Sequence, residues 1–299
     1  MSHSHNHPIN NYNRAFAIGV VLNVIFVAVE AGYGVASGSL ALIADAGHNL
    51  SDVLSLFLAW GASLLAARAA TEKRTYGFRK VTVMASLASA ILLLVTLGGI
   101  AWETIDRFFD PKPVEGMTVI TVAGVGVVIN TITALLFVSG KRHDLNIRGA
   151  FLHMAADAAV SLGVVVAGTI IMITGWLFID PLISLLIVAV ILVGTWSLLR
   201  DSINLAIDAV PKDIDIEGII RYLNDLENVS QIHDLHVWPL STTEVALSVH
   251  LIMDGDSTGN DFLTKCQQEL HDRFRIEHAT IQVEKKDDAP CMLNKNGCV

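Results

Sequence analysis

Over most of its length the chain alternates long apolar runs with short polar breaks, and then passes into a mixed, partly alternating pattern. Apolar runs at 14–36, 40–67, 81–108, 116–139, 147–174 and 180–208 are each near or above the roughly 20 residues an α-helix needs to cross a hydrocarbon core. They predict six transmembrane helices. The first run is too long for a signal peptide, holds Asn23 and Glu30, and ends in Gly/Ser without a small-x-small cleavage site, so it reads as a retained span.

Pro211 and the acidic run KDIDIE mark a second regime. There IEGIIRYLNDL has the pattern of an amphipathic helix, QIHDLHVWPL that of a strand, and EVALSVHLIMD sets Val245, Leu247, Val249, Leu251 and Met253 on one face of a second strand. NDFLTKCQQELHDRF is a second helix and ATIQVEK a third strand. The order αββαβ suits a small α+β domain with both helices on one face of its sheet. The predicted organisation is a flexible tail over 1–13, six membrane helices over 14–209, the α+β domain over 210–286 and an extended tail over 287–299.

Composition agrees: 53% hydrophobic and 16% charged residues place most of the 299-residue chain in a lipid bilayer. Basic residues fall between spans two and three (Arg68, Lys73, Arg74, Arg79, Lys80) and between spans four and five (Lys141, Arg142, Arg148). The loops after spans one and five have none, and the loop after span three has Arg107 and Lys112 among acids. By the positive-inside rule both termini are cytoplasmic. The net charge of −9 sits mostly in the soluble part and argues against nucleic-acid binding. Cys266, Cys291 and Cys298 are then expected as reduced thiols.

Chemistry enters with four polar residues in two of the spans. His48 and Asp52 stand four residues apart in span two, and His153 and Asp157 repeat that spacing in span five. Such a spacing puts both side chains of a pair on one face of a helix. Two such helices side by side can present two imidazoles and two carboxylates to one point, a tetrahedral site for a borderline divalent cation, with zinc the leading candidate. The heights agree: residue 50 lies about 15 Å below the outer surface and residue 155 about 12 Å above the inner one at the helical rise. Antiparallel spans let the four ligands meet near the midplane.

The competing reading is helix capping or interhelical hydrogen bonding. An ionised Asp at a helix centre costs about 2.5–3.5 kcal/mol even on a lenient insertion scale, and duplicated spacing makes packing a poor explanation for four such groups. Asp45, on the same stripe as His48 and Asp52, is a fifth oxygen, a proton acceptor, a vestibule charge or a structural group at the span's outer end. Asn23 and Glu30 on span one and Asn130 on span four are further polar groups at membrane depth: lining for a water-filled path, or, for the two Asn, hydrogen bonds between helices. His3, His5 and His7 lie in the N-terminal tail, where local metal affinity is the most they suggest.

The runs SGSLALIADAGHNLSDVLSL, RTYGFRKVTVMASL, GAFLHMAADAAVSLGVVVAG and HDLHVW resemble the cation diffusion facilitator family of divalent-metal/proton antiporters, in its zinc-transporting branch. The resemblance covers nearly the whole chain. It implies six membrane helices, a cytoplasmic metallochaperone-like domain, a homodimer formed through that domain and the membrane helices, and export of metal from the cytoplasm against proton entry. It implies a transport site built from His48, Asp52, His153 and Asp157, with a histidine at position 48 favouring zinc over cadmium. In the cytoplasmic domain it implies a metal site at His233, His250 and Glu284, with His278 nearby. Relatives that capture metal with a C-terminal Cys-x-x-Cys and an N-terminal motif suggest a looser partnership of Cys291 and Cys298 with His3, His5 and His7. The short loop between spans four and five lacks a histidine-rich insertion, which suggests a protein of the bacterial inner membrane.

Exchange follows from the ligands themselves. Imidazole must be neutral and carboxylate ionised to bind metal, so protons and metal compete for the same four side chains. A membrane metalloenzyme is the alternative, although a catalytic zinc ordinarily keeps three protein ligands and an open position. A metal sensor stands further off, since nothing in the tail has the pattern of a kinase, a phosphatase or a DNA-binding module. The chain is therefore expected to be a transporter and not an enzyme.

Overall fold

The structure, a computed structural model, describes residues 12–110, 112–137, 145–254 and 260–285. Its first six elements are long helices: α1 (Tyr12–Ser37), α2 (Leu40–Ala66), α3 (Val81–Phe109), α4 (Gly116–Phe137), α5 (Leu145–Thr174) and α6 (Ile179–Ala206). These match the six predicted spans to within a few residues. Among the described residues, stretches within α3, α4, α5 and α6 are long and apolar enough to cross a membrane, and α1 adds the shorter apolar stretch Val24–Ser37. The chain then forms α7 (Ile216–Asn224), β1 (Val229–Pro239), β2 (Val245–Met253), α8 (Asn260–Phe274) and β3 (His278–Lys285), the predicted αββαβ order.

The chain separates into two compact units, residues 1–57 with 89–197, and residues 58–88 with 198–299. In the first, α2 through α6 share an apolar core that includes Leu42, Leu97, Val119, Val164 and Ile187. The join from α1 to α2 turns at Gly38, whose φ of +69° is readily open only to glycine. The first turn of α2 is capped from another helix. Asp180 of α6 accepts from Ser39 Oγ at 2.6 Å, from Leu40 N at 2.9 Å and from Ala41 N at 3.3 Å. Arg107 of α3 lies 3.9 Å from Asp180 and also donates to the Gly38 carbonyl, tying the same corner to α3.

Helices α4 and α5 run antiparallel in close contact. A Cβ on Gly116 would lie 2.9 Å from the Gly168 carbonyl, one on Gly168 would lie 3.0 Å from Ile120, and one on Gly126 would lie 3.2 Å from Ser161 Oγ. Position 116 thus faces 168 and position 126 faces 161. One further turn brings position 130 opposite position 157.

In the second unit the strand order is β1-β2-β3, with β1 antiparallel and β3 parallel to the central β2. The odd-numbered face of β2, from Val245 to Met253, packs with Ile219 and Leu223 of α7 and Cys266, Leu270 and Phe274 of α8 in one core. Asp215 caps α7 by accepting from Gly218 N at 2.9 Å. The opposite face carries His250, paired with His233 across the ladder. A bulge interrupts β1 between His233 and His236, and there Asp234 takes a positive φ of 52°.

The segment joining α2 to α3 belongs to this unit as well. Lys80 Nζ donates to the Pro239 carbonyl at 2.9 Å and pairs with Asp208. Arg79 meets Glu244 at 3.1 Å, and Thr242 N donates to Thr82 Oγ1 at 3.1 Å. Two of the basic residues between α2 and α3 therefore hold the β1–β2 hairpin.

Candidate metal centres

In the first unit His48 of α2 and Asp157 of α5 come together, with Nε2 of the histidine 3.5 Å from Oδ1 of the aspartate. Their side chains are only 15% and 3% exposed. Asp52 and His153 stand on the same two helices, four residues from these partners; their side chains lie outside the described residues. The contact joins one member of each predicted pair, from α2 to α5.

Other polar residues predicted at membrane depth gather beside this contact. Glu30 and Asp45 are fully buried; Asn49 Nδ2 donates to Glu30 Oε2 at 3.3 Å and Ser161 Oγ donates to Asp45 Oδ2 at 2.8 Å. Asp45 is thereby tied to α5, and it also neighbours Glu30 on α1. Asn130 is fully buried, and neither atom of its amide has a hydrogen-bond partner among the described residues. The α4–α5 register sets it level with Asp157. The side chain of Asn23 is outside the described residues, as are His3, His5, His7, Cys291 and Cys298 altogether.

The second centre is built on the sheet. The ladder sets His233 opposite His250, and the parallel pairing of β3 sets Glu284 opposite Ile252, one position from His250 along β2. His233 Nε2 is 3.2 Å from Glu284 Oε2, and His250 Nδ1 is 2.9 Å from Glu284 Oε1. One ligand atom from each of the three lies within 4.8 Å of the others. Ligands around a tetrahedral zinc lie about 3.3 Å apart for bonds near 2 Å, so the trio needs only small adjustments to hold a divalent ion. His233 Nδ1 is buried with no hydrogen-bond partner among the described residues. The two imidazole rings are edge-on, with centroids 4.9 Å apart.

Asp234 had no place among the sequence candidates. Its Oδ2 is 3.6 Å from His250 Nε2 and its Oδ1 is 3.1 Å from His236 Nε2, so it can orient the His250 ring through the nitrogen that does not face Glu284. Strict alternation would put a residue next to His233 on the opposite face; the bulge turns it back. The one available signal was an acid between two histidines in HDLH. His278 is not brought to this centre. It pairs with Ala246, six residues and about 20 Å of strand before Glu284, and its ring sits edge-on to Tyr76 at 5.5 Å.

A buried His/Asp contact between two long helices, with a His/His/Glu donor cluster in an appended α+β domain, is the arrangement of a helical protein with places for metal cations. The chain belongs to the cation efflux family: the family's transmembrane domain matches residues 16–205 and the cytoplasmic domain of cation efflux proteins matches residues 211–286. This is a family of transporters and not of enzymes. The chain is 36% identical over 290 residues to the metal cation efflux system protein CzcD of Cupriavidus metallidurans, covering 97% of this chain and 90% of that protein. It is 36% identical over 300 residues to the zinc transporter ZitB of Escherichia coli, covering 97% and 94%. It is 34% identical over 289 residues to the cadmium, cobalt and zinc/H(+)-K(+) antiporter of Bacillus subtilis, covering 95% and 92%.

Proposed function

We propose that this protein exports zinc from the cytoplasm in exchange for protons, through a site formed by His48, Asp52, His153 and Asp157. The observation that carries the reading is the approach of His48 to Asp157 across α2 and α5. Zinc is favoured by a donor set of two imidazoles and two carboxylates, and two of the relatives just named carry zinc in their names. Protonation of the imidazoles on an acidic outer side releases the cation, and a neutral cytoplasm readmits one. The protein works as a homodimer in the inner membrane of a bacterium with both termini in the cytoplasm. There His233, His250 and Glu284 bind a regulatory zinc.

Flux in proteoliposomes under an imposed pH gradient tests this directly. Zinc uptake should be lost in His153→Ala plus Asp157→Ala; a rate equal to that of the parent protein would end the proposal. Replacing His48→Asp should admit cadmium, and an unchanged preference for zinc would move selectivity away from position 48.

A further inference from the structure

One helical turn from the His48–Asp157 contact, the same two helices carry a buried acid that the metal site leaves unused. Asp45 stands three residues before His48 on α2, and Ser161, which donates to it, stands four residues after Asp157 on α5. Glu30 reaches the same place from α1. Both acids are 0% exposed, and the two carboxyl groups hydrogen-bond each other. Ionised carboxylates have no hydrogen to donate, and Glu30 Oε1 and Asp45 Oδ1 have no other donor among the described residues. Only a proton on one of the two acids makes that bond.

Among the described residues the surroundings do not supply a substitute for it. Helix α4, packed against α1, has no titratable residue over Gly116–Phe137. On α2 and α5 the titratable groups facing the pair are His48 and Asp157, with Asp52 and His153 a turn further along. No Lys or Arg is among them. Two buried acids in contact without a cation cannot both be ionised, so they share a proton. A divalent ion a turn away reverses that balance, because its charge favours the ionised form of each acid.

We propose that Glu30 and Asp45 hold one exchangeable proton, separate from those that compete for the metal ligands, and that this proton leaves when a divalent cation occupies the neighbouring site. The inference rests on the transport-site reading above. It adds a proton carrier that does not touch the metal, so part of the exchange is carried by charge acting across one helical turn.

Proton release on zinc binding distinguishes the two claims. The full chain, with its cytoplasmic ligands removed by His233→Ala and His250→Ala, is titrated with zinc chloride in weakly buffered detergent solution, and bound zinc and released protons are both counted. Glu30→Gln and Asp45→Asn should each still bind one zinc per chain and release one proton fewer than the parent, and Glu30→Asp should restore the parental count. Should either neutral variant fail to fold, the other carries the comparison. Equal proton counts in the parent and a folded neutral variant would overturn the proposal while leaving the transport site intact. Zinc binding undiminished by His48→Ala would instead remove the transport site, and the proton pair with it. Exchanging potassium chloride for choline chloride should leave the counts unchanged; a count that depends on potassium would make the pair a potassium site and refute its role as a proton carrier.

Discussion

Asp234 shows how much one residue's backbone decides. Its left-handed φ lets the bulge turn a carboxylate toward His250, on a strand whose simple alternation would send it to the other face. Because a group that orients a ligand typically contributes 10–100-fold to metal affinity, Asp234→Asn should weaken zinc binding at the cytoplasmic centre by about that factor. Calorimetry on the full chain with His48→Ala isolates that centre. A different chemistry governs Cys266, whose thiol is pushed up by burial, with Tyr222 hydrogen-bonded to it. In a Cys291→Ser plus Cys298→Ser background, the folded protein should resist maleimide at pH 7.5 and react fully once denatured. His48 and Asp157, which meet across α2 and α5, were among the groups that a repeated His/Asp spacing in apolar helices picked out. Asp234 was not, since nothing local to HDLH announces a bulge.

At the level of elements, hydropathy located all six long helices, and alternation located β2, because each pattern reports which face is turned from water. What the pattern lacks is the identity of neighbours. The cap on α2 comes from Asp180, about 140 residues away, so no local capping rule could supply it. Removing that carboxylate in Asp180→Ala frees three donors and leaves Arg107 facing a gap; a loss of at least the usual 0.5–2 kcal/mol of a lost cap is expected as a lowered melting temperature in detergent. Gly116→Val tests the α4–α5 contact in the same assay. A Cβ there meets the backbone carbonyl of Gly168 at 2.9 Å, and the wedge should cost about 1–3 kcal/mol. The parallel pairing of β3 was equally invisible, and it is what separates His278 from Glu284. β2 itself has no idle face, for one side closes the helical core and the other carries His250.

For the whole molecule, the proposed competition of protons and metal for the same side chains sets the sign of the pH dependence. Ligand histidines must be neutral to bind a metal ion, so zinc affinity is expected to fall on acidification. Equilibrium binding of zinc between about pH 5.5 and 8 checks this, and an affinity that rises on acidification would contradict it. In the sequence, the change from an apolar to a mixed, charged pattern falls near residue 210. The compact units are cut differently, because residues 58–88 keep company with the C-terminal sheet through Arg79, Lys80 and Thr82. That shared corner has a practical meaning for anyone shortening the chain. A protein ended after residue 209 loses more than a tail: Arg79 and Lys80 are stripped of Glu244 and the Pro239 carbonyl, and the ends of two membrane helices lose the surface that steadies them. Behaviour measured on the two fragments would not add up to that of the intact protein.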